Sequence, residues 1–293
     1  KYNLVMMNYC PICKSEMEYI FTTKDYLVSG EPFDIIECDS CLLRITYPFP
    51  NKQNIGRYYS SDDYISHNDN TSGIFDYIYG VVRSYQLNKK KKLIENYCDK
   101  INGKILDIGC GTGEFLSVMK KGHWDINGVD TSEKAREIVK NKLNIEVMDP
   151  NRWIRSDIQY DVITCWHSLE HVHEPWVYLN KIKKSLNPDG ILIVALPNYH
   201  STDAKKYQEF WAAYDTPRHL YHFTIESINK IINPHKFNIR SIYRMNFDPF
   251  YVSILSASHM GKSAINGLIN GFISWMSSIL FKDKCSSLIF IIK

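Results

Sequence analysis

Three groups of residues in this chain of 293 have the types and spacing to do chemistry. Four cysteines come first, as Cys10-x2-Cys13 and Cys38-x2-Cys41, with 24 residues between the pairs. Tetrahedral zinc takes four soft ligands, and two such knuckles on facing hairpins supply four thiolates. A site closed by four thiolates has no open position for a substrate, so a structural zinc is expected. A pair of redox dithiols, the other reading, would usually sit where a strand meets a helix. The second group is Asp107-Ile108-Gly109-Cys110-Gly111-Thr112-Gly113. Its glycines let the backbone turn tightly and approach a ligand. A dinucleotide fingerprint would place its third glycine at position 114, which is Glu114. Asp107 would repel a pyrophosphate but suits an ammonium group, and Asp130 lies where a carboxylate can take ribose hydroxyls. A cofactor with an ammonium, a ribose and no phosphate is S-adenosylmethionine (SAM).

The third group is rich in histidine: Glu170-His171-Val172-His173, and 214–222 with Tyr214, Asp215, Arg218, His219, Tyr221 and His222. If the methyl of that cofactor's sulfonium is what moves to an oxygen, nitrogen or acidic carbon, as the resemblance given below implies, the transfer requires alignment and removal of a proton. Histidine is the base suited to neutral pH. His219 and His171 are therefore the catalytic candidates, with Tyr214, Arg218 and His222 beside the acceptor. Arg218 could clamp a carboxylate or phosphate on it. Tyr59, Tyr64 and His67 belong to an aromatic stretch that reads either as a lid or as a packing surface.

These residues need elements to hold them. The pattern from 104 onward predicts strands at 104–108, 125–130, 145–148, 160–165 and 190–195, with helices at 114–121 and from Ser132 to about 142. Strands separated by such helices make parallel βαβ units in a doubly wound α/β sheet, whose ligands bind at the carboxyl ends of the strands. The glycine loop, Asp130 and Glu170-His171 all follow strand ends. A helix near 225–232 and strands at 239–245 and 286–292 complete the chain. At the start, 34–36 and 42–47 read as short strands of a ribbon, and 76–99 as a helix. The expected division is a zinc ribbon at 1–50, an aromatic connecting or lid segment at 51–85, and the SAM domain at 86–293. Within it, 261–281 is a helical insertion whose Ile265, Leu268, Ile269, Phe272, Trp275, Met276 and Ile279 recur at helical spacing. That stripe is expected to pack on the core or to pair two copies into a homodimer. A lid over an apolar acceptor or a membrane-surface contact is the alternative, though Lys262 is the insertion's one basic residue.

Composition narrows the classes. With 44% hydrophobic and 23% charged residues, the chain is an ordinary globular one rather than a disordered or fibrous one. A net charge of +3 gives no footprint for nucleic acid. No apolar run reaches the length of a transmembrane helix, and 1–7 is too short for a signal peptide. Four of the eight cysteines lie in the first 41 residues, unlike a secreted disulfide framework. A reducing, cytoplasmic setting is expected.

Set side by side with known families, 105–116 (Ile-Leu-Asp-Ile-Gly-Cys-Gly-Thr-Gly-Glu-Phe-Leu) resembles motif I of class I SAM-dependent methyltransferases. Val129-Asp130-Thr131-Ser132 looks like their second motif, 160–172 like the fourth-strand motif, and 186–192 like the turn into the fifth strand. More narrowly, the chain resembles bacterial methyltransferases that carry a zinc ribbon before the SAM domain. The resemblance implies a seven-stranded Rossmann-like sheet and a small-molecule or carrier-linked biosynthetic acceptor. It implies cofactor contacts from Asp107, Gly109, Cys110, Gly111, Gly113, Asp130 and Thr131, with Trp166 and His167 lining the pocket and Asp149 at the adenine. In similar sugar C-methyltransferases a Glu-His pair stands in the loop after the fifth strand, and its histidine is the base. Here that pair is Arg218-His219, which favours His219 as the base and departs from the pattern at Arg218. A nucleic-acid or protein methyltransferase that uses the ribbon as a reader is a second hypothesis. Cys165-Trp166-His167-Ser168 stands where base-modifying amino methyltransferases carry an Asn/Asp-Pro-Pro-Tyr/Phe/Trp motif. A non-catalytic SAM-binding protein is a third.

Overall fold

The computed structural model describes residues 9–59, 74–98, 100 and 102–293, so Tyr64 and His67 lie outside the described residues. The described residues divide into two compact units. One is drawn from segments within 1–65, 170–175 and 195–290, the other from 66–169, 176–194 and 291–293.

The first unit begins with β1 (Met17–Lys24), β2 (Pro32–Cys38) and β3 (Arg44–Tyr47). β1 and β2 form an antiparallel hairpin that fills the interval between the two cysteine pairs, and β3 continues the meander. Its β-branched residues are buried in consecutive pairs, Ile35-Ile36 in β2 and Ile45-Thr46 in β3, so these two strands are covered on both faces.

In the second unit α1 (Ile74–Tyr97) precedes β4 (Lys104–Ile108), α2 (Glu114–Lys121), β5 (Asp125–Val129) and α3 (Glu133–Leu143). Ser132 caps α3 by accepting from the Ala135 N–H at 3.2 Å, and Asn144 ends it in the left-handed region. Then come the short α4 (Pro150–Arg155), β6 (Tyr160–Trp166), α5 (Pro175–Ser185) and β7 (Leu186–Pro197). β4 pairs in parallel with both β5 and β6. Every residue of β6 is buried, as a parallel strand covered on both faces requires.

The rest of the chain holds α6 (Thr202–Tyr207), β8 (Tyr221–His222), α7 (Ile225–Ile232), β9 (Ile239–Arg244), α8 (Asp248–His259), α9 (Ala264–Leu280) and β10 (Ser287–Ile292). The larger sheet runs β5-β4-β6-β7-β10-β9. The α/β class is thus as expected, and the terminal strand lies beside β9. The sheet has six strands rather than seven. Position 145–148 contributes a single parallel bridge, Val129 to Met148, between the Asn144 turn and the Asp149 cap. The smaller sheet runs β1-β2-β3-β8, so the segment Tyr221–His222 closes the N-terminal meander as its fourth strand.

The insertion is a helix, and its apolar stripe is exposed, which corrects the expectation that it packs on the core. The residues of α9 that are buried are Gly267, Gly271, Ser274 and Ser278, all small. Its exposed residues are all apolar, Ile269, Phe272 and Ile273 among them at more than half of full exposure. The small face lies against α8: a Cβ on Gly267 would stand 2.5 Å from Ile254 Cα, and one on Gly271 2.7 Å from Phe250 Cα. Asp203 fixes the near end, accepting from Trp211 Nε1 at 2.7 Å and from the Ser274 and Ser286 hydroxyls at 2.8 Å.

Candidate active site

The glycine loop joins β4 to α2. Gly109, Gly111 and Gly113 have φ of 75°, 51° and 77°, a region closed to most side chains. A Cβ on Gly109 would sit 2.6 Å from Ser168 Cβ, and one on Gly113 2.9 Å from Val139, whereas one on Gly111 would meet nothing within 4 Å. Gly111 thus presents bare backbone to open space. Its N–H donates to Asp130 Oδ2 and the Ser132 N–H to Oδ1, each at 2.8 Å. The two bonds orient the carboxylate while leaving each oxygen a lone pair for a hydroxyl. Thr131 is exposed and gives its carbonyl to Arg136.

Asp107 is buried and accepts from the Thr164 hydroxyl at 2.7 Å. Burial pushes its carboxyl up to about 7, against the Thr164 bond and Lys90, with Asp130 adding repulsion. A cationic ligand would relieve that strain. Cys110 points inward, its Sγ 2.9 Å from where a Gly128 Cβ would be, and burial raises its thiol far above the ordinary range. Its backbone, not its sulfur, belongs to the loop. Trp166 is buried against Phe115, Lys90 lies 4.3 Å over its ring, and Nε1 has no partner among the described residues. His167 follows at φ 52°, a strained position for a side chain of its size. Asp149 caps α4 through Oδ1, which accepts from Asn151 and Arg152 N–H. A buried acid, a carboxylate presented by backbone N–H groups, an open glycine and an indole N–H fit an ammonium- and ribose-bearing cofactor.

In the other unit the histidines converge with carboxylates. His219 Nδ1 lies 2.9 Å from the Ala213 carbonyl. A carbonyl only accepts, so the ring carries its proton at Nδ1 and keeps the Nε2 lone pair. Nε2 faces Glu170 Oε1 at 4.0 Å and Asp215 Oδ2 at 3.9 Å. His171 stands edge-to-face on His219 at 4.6 Å, with Nδ1 at 3.0 Å from the Arg218 carbonyl and 3.1 Å from the Tyr59 hydroxyl. Burial, then the neighbouring His219, pulls His171 down to about 4, which keeps it neutral.

Arg218 is differently employed from the acceptor clamp its type suggested. Nε and Nη2 bond Asp215 at 2.9 and 2.7 Å, Nη2 bonds Asp25 at 2.9 Å, and Nη1 bonds the Tyr58 carbonyl at 2.9 Å. The guanidinium is 1% exposed. Tyr214 is also buried, where Arg44 donates to its hydroxyl at 2.5 Å, and burial lifts that hydroxyl to about 12. His222 lies in β8 with Nε2 3.0 Å from the Thr46 hydroxyl, and burial holds it well below the usual histidine range.

The four cysteines meet as the spacing predicts. Cys10 and Cys41 sulfurs are 3.6 Å apart, Cys13 and Cys38 sulfurs 3.3 Å. Sulfurs about 2.3 Å from a tetrahedral ion stand about 3.8 Å apart, so the cluster matches one ion. The two knuckles also share a turn. Lys14 N–H returns to the Cys10 carbonyl and Leu42 N–H to that of Cys38, at φ 66° and 56°.

Asp25, Thr164, Lys90 and Ser168 are neighbours of these groups that motif reading did not single out. Thr164 had no local signal: it meets Asp107 across parallel strands 57 positions apart. Ser168 donates to the Ile108 carbonyl at 2.8 Å and walls off Gly109.

A sequence profile of the family described as "Methyltransferase domain" matches residues 82–242, more than half of the chain. Among curated relatives, the ubiquinone biosynthesis O-methyltransferase of Haemophilus ducreyi is 30% identical over 115 residues, 34% of this chain and 49% of that protein. The mitochondrial ubiquinone biosynthesis O-methyltransferase of Schizosaccharomyces pombe is 31% identical over 101 residues, 31% of this chain and 37% of that one. The chain thus spans about half or less of the length of the relatives it matches. The solved structure of magnesium protoporphyrin IX methyltransferase from Synechocystis PCC 6803 superposes with TM-score 0.55 at 14% identity, over 83% of this chain and 99% of that one. At that identity the likeness is one of fold.

Proposed function

We propose, from the premise that the chain belongs to the methyltransferase-domain family, that it transfers the methyl group of SAM to a small-molecule or carrier-linked acceptor. The observation that carries this reading is the cradle at Asp107–Gly113, where Asp130 is presented by the N–H groups of Gly111 and Ser132. SAM supplies an electrophilic methyl on a sulfonium, which becomes a thioether as the acceptor takes the methyl. Asp107 holds the ammonium, Asp130 the ribose hydroxyls, and Gly109, Cys110, Gly111, Gly113 and Thr131 the backbone surface between them. Trp166 and His167 line the cofactor, and Asp149, with Oδ2 left over from its capping role, faces the adenine.

His219 receives the acceptor's proton at Nε2, and Glu170 and Asp215 stabilise the imidazolium that results. Arg218 acts through Asp215 as a positioning residue, and His171, held neutral, shapes the base's surroundings with Tyr59. A hydroxyl is the favoured acceptor, since it needs such a base and the two curated relatives are O-methyltransferases by name.

The cysteine cluster holds a structural zinc within a ribbon at 1–50, with a connecting segment at 51–85 and the SAM domain from 86. Nucleic acid is not the expected partner, because a charge of +3 offers no electrostatic footprint. No helix among the described residues is long and apolar enough to cross a membrane. A reducing, cytoplasmic setting, in which the four clustered thiolates stay available to the ion, belongs to the same reading. The outer face of α9 supports a homodimer. Calorimetry with SAM and S-adenosylhomocysteine tests the core of the reading: both should bind, and absence of heat at millimolar ligand would sink it. His219→Ala should then lower the rate of labelled-methyl transfer while leaving SAM affinity unchanged.

A further inference from the structure

We propose that Glu170, His171 and His219 form a binding site for one divalent transition-metal ion, distinct from the cysteine cluster. Each offers a ligand atom, and these atoms lie within 4.8 Å of one another. The histidines are prepared as metal ligands commonly are, with the remote ring nitrogen tied to a backbone carbonyl. His171 Nδ1 is 3.0 Å from the Arg218 carbonyl and His219 Nδ1 2.9 Å from that of Ala213. Both rings therefore keep Nε2 lone pairs, the arrangement that fixes tautomer and raises basicity at a metal.

Size and charge agree. Ligands about 2.1 Å from an ion stand about 3.4 Å apart at a tetrahedral angle and about 4.2 Å apart when opposed. The 4.0 Å between His219 Nε2 and Glu170 Oε1 falls inside that span, and the 4.8 Å bound on the whole set exceeds it by a few tenths of an ångström, which the side chains close on the ion. Glu170 is fully buried, and Asp215 adds a second carboxylate 3.9 Å from His219 Nε2. Arg218, bonded to Asp215 and Asp25, is the opposing cation, so the net charge facing an ion stays negative. The two chain segments are also clamped before any ion arrives. Leu220 N–H donates to the Glu170 carbonyl at 2.9 Å, and the Tyr221 hydroxyl to that of His173 at 2.9 Å.

Two imidazoles and one carboxylate suit zinc, iron(II), cobalt(II) or nickel(II), and three protein ligands leave positions for water or an oxygen ligand such as a hydroxyl or vicinal diol. The site stands apart from the methyltransferase reading, since nothing in the glycine loop requires the ion. It takes the lone pair that His219 would use as a base, so the base assignment applies to the ion-free form.

The test uses the full chain, stripped by chelator and titrated with cobalt(II) in the visible range. Two equivalents are expected: one with a thiolate-to-cobalt charge-transfer band from the cysteines, the other with only ligand-field bands of nitrogen and oxygen donors. Glu170→Gln, His171→Ala and His219→Ala should each weaken the second by more than about 100-fold, with the thiolate band retained as the sign of a folded chain. Cys13→Ser should do the reverse. Binding of the thiolate-type equivalent alone, or a second equivalent that survives in Glu170→Gln and His219→Ala, overturns the proposal. SAM calorimetry on the same stripped protein tests the methyltransferase reading separately.

Discussion

Replacing Arg218 by Met separates a structural guanidinium from one that serves an acceptor. The side chain is 1% exposed and bridges Asp25, which is fully buried, to Asp215. Met keeps much of the stem but leaves Asp25 without its cation. Removing one partner of a buried ion pair costs about 3–5 kcal/mol, and the backbone N–H groups of Leu27, Val28 and Ser29 that still bond Asp25 place the loss at the lower end. At roughly 2–4 °C per kcal/mol for a chain of this size, the thermal midpoint should fall by about 10 °C. The acid limb carries a second signature. Burial works to raise Asp25, yet the Ser29 N–H and Arg218 hold it below the ordinary aspartate value. A carboxyl depressed in the folded state stabilises it above the unfolded pKa, near 4, and that contribution is lost as pH falls through the folded value. Without Arg218 the depression shrinks, so acid unfolding should begin at a higher pH. Circular dichroism melts from pH 7 down to pH 3 read both effects. An unchanged midpoint together with a raised KM for the acceptor would show that the guanidinium faces substrate, and the reasoning would fail.

Asp107→Asn should weaken SAM binding. Because burial has pushed Asp107 up to about 7, ligand binding near neutral pH should release protons, seen by calorimetry in buffers of different ionisation enthalpy and absent in the variant. Affinity in the unaltered chain should fall as pH drops below 7. Chelation of the ion proposed for the cysteine cluster, or Cys38→Ser, should accelerate amide exchange across β1, β2 and β3 while leaving β4 and β6 protected; uniform exchange would argue against a local role. Gly267→Leu should cost about 1–3 kcal/mol through overpacking against Ile254. Phe272→Asn, on the outer face, should stay within about 0.5 kcal/mol in the monomer, and sedimentation of that variant checks the homodimer.

What could be read from the sequence was what neighbours in sequence decide. The cysteine knuckles and the glycine loop are local, since each sets its own turns within a few residues, and both fold as their spacing says. The histidines were identifiable by type, but their partners were not. Asp25 meets Arg218 across 193 positions, and no periodicity links them. Tyr221 and His222 looked like loop residues, with His222 beside an acceptor. Pairing with Ile45 and Arg44 makes them a strand instead, an outcome set by a hairpin far upstream. The strand expected at 145–148 pairs at Met148 alone, between two helix ends. In α9 the period was legible and the direction was not. An apolar stripe ordinarily faces a core, and here close approach of two backbones at Gly267 and Gly271 turned the small residues inward.

That inversion separates two kinds of inheritance. The seam between α8 and α9 tolerates only residues with little or no side chain at 267 and 271, so its sequence can drift hardly at all without prising the helices apart. The outer positions carry no such debt to the architecture. Descendants of this chain can recoat the same hairpin, greasy in one lineage and polar in another, and the scaffold beneath will not register the change.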